Sequence, residues 1–169
     1  MKLVEGIVSI GGSDRFEDVG SFIDALDSIG ETHDVTVQAF DARYVVSRRH
    51  LERALELADR ERERGEGIVR DRGVEMTLYA AGRRQIDRAL EMGVSEGETP
   101  LVVAIDGPGE EREAADAVER LLVSEATLGD YDERRVRSFF EVGAAELEAT
   151  DADLETLVLE RVALLVVER

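Results

Sequence analysis

Apolar residues change their spacing several times along the chain, and each change marks a predicted element. Val4, Ile7, Val8 and Ile10 make a strand-like opening run, Leu3 to Ile10, interrupted by Glu5, and Gly11-Gly12-Ser13-Asp14 follows as a turn with a helix cap. Phe16, Val19, Phe22, Ile23, Leu26 and Ile29 then recur at helical spacing, with Gly30 where a glycine ends a helix. A second strand is expected at Val35 to Phe40. Ser47 caps a helix whose buried face is Leu51, Ala54, Leu55 and Ala58, and whose far end, Asp59 to Arg64, alternates arginine with acid before Gly65-Glu66-Gly67 closes it. Val74 to Ala81 fits strand or helix and is read as helix, ending at Gly82. Arg83-Arg84-Gln85-Ile86 starts the next, with Ile86, Ala89 and Leu90 on one face.

Leu101-Val102-Val103-Ala104-Ile105 is the clearest buried strand, placed between Pro100 and the Asp106-Gly107-Pro108-Gly109 turn. The helix after it carries Glu110, Glu111 and Glu113 at its positive end and Ala114, Val118, Leu121 and Leu122 on its core face. Arg134 to Phe140 reads as a short helix. Thr150 starts a helix bearing Leu154, Leu157 and Val158, which runs into a β-prone stretch, Val162 to Val167, expected to end the chain as a strand. Without a regular βαβ rhythm, these elements predict an α+β fold: one domain over residues 1–169, with a small, mainly antiparallel sheet of about four strands flanked by helices. Leu154, Leu157, Val158, Leu159 and Val162 are so nearly continuous that the last helix is expected to expose a second apolar face, unless it is sandwiched inside the domain.

Charge alters this picture more than any other compositional fact. The 169 residues carry 39 acidic against 21 basic side chains, a net charge of −18, and Lys2 is the only lysine. That excludes a broad basic surface for DNA and fits a surface adapted to concentrated salt, where the Debye length falls to about 3 Å and repulsion between carboxylates is screened. With 43% hydrophobic residues in periodic faces, disorder is the weaker reading. The absence of cysteine removes disulfides and thiolate chemistry, and no apolar stretch approaches the ~20 residues of a membrane helix, so a cytoplasmic protein is expected.

Candidate chemistry is sparse. His33, expected in a loop between Thr32 and Asp34, has no second ligand at metal spacing. Arg48-Arg49-His50 is a basic cluster at a helix start on a chain that otherwise avoids positive charge, although both arginines also have carboxylates nearby to pair with. Gly82-Arg83-Arg84-Gln85-Ile86 repeats the theme: arginines at a helix's positive end suit an anion, while Gly82 alone is explained as a helix cap. The loop at Asp106 is the place for the alternative reading, a small halophilic hydrolase or nucleotide-binding enzyme, but it lacks the lysine and hydroxyl of a phosphate loop and the dinucleotide glycine spacing. A Ser47-His50-Asp arrangement is no stronger, since no strained nucleophile turn is present.

Three segments in order, ARYVVSRRHLERAL (Ala42 to Leu55), LYAAGRRQIDRALEMGV (Leu78 to Val94) and ERVALLVVER (Glu160 to Arg169), resemble the CGI-type, kinase-binding subunit of the KEOPS complex, the family of the PRPK-binding protein. Residues 108 to 150 match it only loosely. The resemblance implies a non-catalytic role, with no cofactor, in making threonylcarbamoyladenosine in tRNA. It implies two partners: a kinase-like ATPase subunit, and the single-stranded 3′ CCA end of tRNA. Carried over by motif, the RNA-binding residues are Arg48, Arg49, His50, Gly82, Arg83, Arg84, Gln85 and Ile86. Because the family meets its kinase through its C-terminal region, the expected partner contacts are Leu154, Leu157, Val158, Arg161 and Val162. For an acidic chain in salt, reading an unpaired end through hydrogen bonds and stacking is more effective than neutralising many phosphates.

Overall fold

In the computed structural model, which describes residues 1–167, the expected α+β architecture is present. The elements run β1 Lys2–Ile10, α1 Val19–His33, β2 Thr36–Asp41, α2 Arg48–Glu63, α3 Arg72–Ala81, α4 Ile86–Ala89, β3 Gly97–Asp106, α5 Glu111–Glu119, β4 Val123–Ser124, α6 Glu133–Phe139, α7 Ala144–Ala149 and α8 Leu154–Val167. They form two compact units, and neither is a continuous stretch of chain: Met1–Ala42 with Gly93–Leu128, and Arg43–Met92 with the residues from Gly129 onward.

The first unit holds the sheet, ordered β2-β3-β1-β4 and antiparallel at every pairing. Alternation along β1 sends Val4, Val8 and Ile10 to one face, where they join Leu101, Val103 and Ile105 of β3 and Val37 and Ala39 of β2. Phe22 and Leu26 of α1 and Ala114 and Val118 of α5 cover that face. Glu5 interrupts the apolar run for a reason visible only here: its carboxylate accepts the backbone N–H groups of Thr127 at 2.9 Å and Leu128 at 2.7 Å, holding the segment beyond β4.

Several expectations are corrected. Gly30 lies inside α1 rather than after it; a Cβ there would stand 2.8 Å from the Val35 carbonyl oxygen, so close approach is what requires glycine. The helix ends instead at Asp34, left-handed at φ 53°, which makes His33 the last helical residue. Pro100 is within β3, paired with Ile7 of β1, one residue past the last β2 partner, Leu101, where a missing N–H costs no ladder bond to β2. The fourth strand is β4, only two residues long, paired with Gly6 and Ile7, and the terminal stretch Val162 to Val167 is helical. Its β-prone residues are overridden because Leu154, Leu157, Val158, Val162 and Leu165 continue one helical face without a break.

The second unit is helical. α2 packs on α3 and α8, and α3 packs on α8 and α4. Arg72 forks onto Asp59 at 2.9 and 2.7 Å, and buried Glu75 accepts the N–H groups of Ile68 and Val69, closing the connection between α2 and α3. α7 has no counterpart among the expected elements: with no buried residue it leaves no apolar period to read. α8 starts at Leu154 rather than Thr150, since Asp153 accepts the Thr156 N–H and so caps it.

Candidate functional site

The two basic motifs meet through one histidine. Ser47, in extended conformation, caps α2 by accepting the His50 N–H at 3.3 Å and donates its hydroxyl to Glu155 of α8 at 2.9 Å. The next turn points Arg48 and Arg49 outward; Arg48 pairs with Glu52 at 2.6 Å, and Arg49 has no partner among the described residues. His50 turns inward and is fully buried. Its Nδ1 accepts the Val46 N–H at 3.3 Å, which places the ring proton on Nε2, and that atom donates to the Ala80 carbonyl at 2.8 Å. Burial pushes the imidazole down to about 4, against the weaker opposing effects of the Ala80 carbonyl and the Glu155 charge, so the ring is neutral.

Ala80 lies two residues before the second motif. α3 ends at Gly82, left-handed at φ 63°, whose N–H returns to Leu78 and Tyr79 while the Arg83 N–H bonds Leu78. A Cβ on Gly82 would meet the Arg161 carbonyl of α8 at 3.0 Å. Glycine is therefore needed twice over. Arg83 folds back: its guanidinium lies 5.4 Å over the Phe139 ring, donates to the Phe139 carbonyl and stands 3.8 Å from Glu141. Arg84 is half-buried, with an Nε that bonds to nothing. Gln85 precedes α4 in extended conformation without capping it, leaving its amide exposed.

The expected helix at Arg83 is thus shorter, beginning at Ile86, and both arginines precede it. Ile86 and Leu90, expected on its core face, are 44% and 49% exposed, and only Ala89 is buried.

The model of the CGI-121 kinase binding protein family matches residues 16–165. The chain belongs to that family. No curated protein matches it.

In this CGI-121 family member the five C-terminal residues singled out as partner contacts lie as follows. Leu154, Leu157, Val158 and Val162 are buried within the chain, so the expected second apolar face is not made of them; their spacing puts all four on one side of α8. The apolar residues that α8 does expose are Leu164, at 43%, and Val167, at 76%. Arg161 grips the segment after α6: Nε donates to the Phe140 carbonyl, Nη2 to that of Glu141, and both terminal nitrogens fork onto Glu146 at 2.8 Å. This bidentate bond raises the guanidinium above its usual range and lowers the Glu146 carboxyl.

The Asp106 loop has a structural account. Asp106 lies 3.0 Å from the N-terminal ammonium, Glu111 lies 3.7 Å from it, and the N–H groups of Gly109 and Glu110 bond the carbonyls of Asp34 and His33. Sequence reasoning passed over the aromatic cluster of Tyr44, Phe139 and Phe140, whose rings meet edge to face at 5.3 and 5.0 Å. Only Arg134 to Phe140 read as a helix there, and an aromatic pair within it has no chemistry of its own until Tyr44 is brought beside it.

Proposed function

We propose that this CGI-121 family member is a non-catalytic subunit of the KEOPS complex, which binds the kinase-like ATPase subunit and recruits tRNA by its 3′ CCA end, the chemistry residing in other subunits. The observation that carries the RNA half is the turn from Gly82 to Ile86, which presents a half-buried guanidinium, an exposed amide and an exposed sec-butyl side chain at three consecutive residues, Arg84, Gln85 and Ile86. Hydrogen bonds from the first two read base edges, and Ile86 offers a plane for a base. Arg48 and Arg49 supply further charge from the start of α2. His50, Gly82 and Arg83 serve as positioning residues, since the His50 ring, the Gly82 N–H and the terminal nitrogens of Arg83 are already engaged inside the chain.

The kinase half is drawn from the family's own description as kinase binding. For it we assign the outer side of α8, where Leu164 and Val167 stand exposed on a molecule of net charge −18. Leu154, Leu157, Val158 and Val162 hold the helix from beneath, and Arg161 fixes it to the Phe140–Glu146 segment. Among the described residues no helix is long and apolar enough to cross a membrane, and a cytoplasmic site of action fits this reading.

The test is tRNA binding by the purified chain. Arg84→Ala and Gln85→Ala are each expected to weaken it, Arg84 by about tenfold or more, since hydrogen bonds to charged groups contribute roughly 1.5–3 kcal/mol. Removing the terminal CCA should match either substitution. Equal binding of intact and truncated tRNA by the wild-type chain refutes the reading.

A further inference from the structure

Beside α6 the second unit carries a hollow of about 450 Å³, lined by Tyr44, Arg88, Glu91, Asp132, Arg134, Arg135, Ser138 and Phe139. We propose that it binds a nucleoside monophosphate, with Arg134 as the principal phosphate contact and Tyr44 against the base. On a chain of net charge −18, three guanidiniums around one hollow are a local reversal of sign. Two are oriented by acids: Arg88 by Glu91 at 3.8 Å, and Arg135 by Asp132 at 3.3 Å. Asp132 is further engaged as the cap of α6, accepting the Arg135 N–H at 3.1 Å. Arg134 is exposed and has no partner among the described residues, so the lining keeps one uncompensated positive charge. Each paired guanidinium also retains N–H donors that its single carboxylate does not use, which suits the several oxygens of a phosphate.

A phosphate alone leaves the other wall unexplained. Tyr44 and Phe139 meet at 5.3 Å and 72°, with Phe139 buried and Tyr44 half-exposed, its hydroxyl bonding to nothing among the described residues. Such a rigid aromatic wall facing cations is suited to a flat ring that carries an anion. The same chemistry belongs to a free mononucleotide and to the last nucleotide of an RNA strand. The inference does not rest on the tRNA reading, which uses none of the lining residues.

The full chain is titrated with AMP, adenosine and inorganic phosphate, and binding is followed by NMR. AMP should saturate, with adenosine and phosphate each weaker by ~10-fold. Arg134→Ala should weaken AMP by a similar factor with unchanged melting, because the side chain is exposed and makes no hydrogen bond or ion pair among the described residues. Tyr44→Leu should reduce AMP toward the affinity of phosphate. Displacement of AMP by an oligoribonucleotide ending in CCA assigns the hollow to a strand end, and no displacement assigns it to the free nucleotide. AMP binding no tighter than phosphate, or untouched by Arg134→Ala, overturns the proposal. Because Arg84 and Gln85 lie outside the hollow, that result leaves the tRNA test intact, and failure of the tRNA test leaves this one intact.

Discussion

Burial of the His50 imidazole ties the pairing of α2 with α3 to a single proton. The folded ring has its pKa lowered to about 4 from 6.5, so the unfolded chain takes up the proton first as pH falls. The histidine's contribution is complete above pH 6.5 and is lost between 6.5 and 4, amounting to about 3 kcal/mol once both values are passed. His50→Ala should destabilise the protein at pH 7 by leaving the Val46 N–H and the Ala80 carbonyl unpaired, and the gap between variant and wild type should narrow toward pH 4. Denaturant unfolding of both proteins at pH 7 and pH 4.5 measures it. A gap that stays constant contradicts a neutral, buried ring. At the same scale, adjacent arginines separate into different roles: the terminal nitrogens of Arg83 are held by the Phe139 carbonyl and Glu141, while Arg84 has no hydrogen-bond or ion-pair partner among the described residues.

Helix α8 carries two kinds of leucine that periodicity alone does not distinguish. Leu157 is buried, so Leu157→Asp places an unpaired carboxylate in the core, whereas Leu164 faces solvent and tolerates the same change. Truncating a buried leucine already costs 2–5 kcal/mol as a rule, and a charge costs more. We expect Leu157→Asp to unfold the second unit and Leu164→Asp to melt as wild type while losing the kinase-like partner in a pull-down. If Leu164→Asp and Val167→Asp both retain the partner, the outer side of α8 is not the interface. The hairpin of α2 and α3 shows how an element is placed: the Arg72–Asp59 fork, the bonds from the Ile68 and Val69 N–H groups to Glu75 and the His50–Ala80 bond all hold it, and Gly82 ends it against the Arg161 carbonyl.

Across the whole molecule, net charge and connectivity make two predictions about unfolding. The −18 charge means that repulsion among carboxylates weakens the fold at low ionic strength, so the melting midpoint should rise from low to molar KCl as the Debye length shrinks to about 3 Å. A midpoint that is flat across that range argues against adaptation to salt. Each unit is assembled from two segments, and β3 pairs with β1 and β2 only after the entire Arg43–Met92 stretch has been looped out. Ordering that stretch lowers the entropic cost of closure, so we propose that the chain behaves as one domain and melts in a single transition. Calorimetry resolving two separate transitions would count against it.

The alternation of Val4, Val8 and Ile10, the unbroken run Leu101 to Ile105 and the capped face of α2 were legible because period and cap are properties of neighbouring residues. The sequence by itself therefore determined the α+β class, three of the four strands and the family. It did not determine β4, two residues recruited by the edge of β1, nor the helical end of the chain, where Val162 to Val167 have strand propensity and packing alone favours the helix. At the candidate site the motifs were readable, but the division of labour within them was not. Arg49 and His50 are adjacent, yet one faces water and the other is buried, because a helix turns about 100° per residue and the position of α3 decides which side becomes interior. The hollow at Tyr44 and Arg134 exists only after segments far apart in sequence are packed together, and no local pattern encodes that distance.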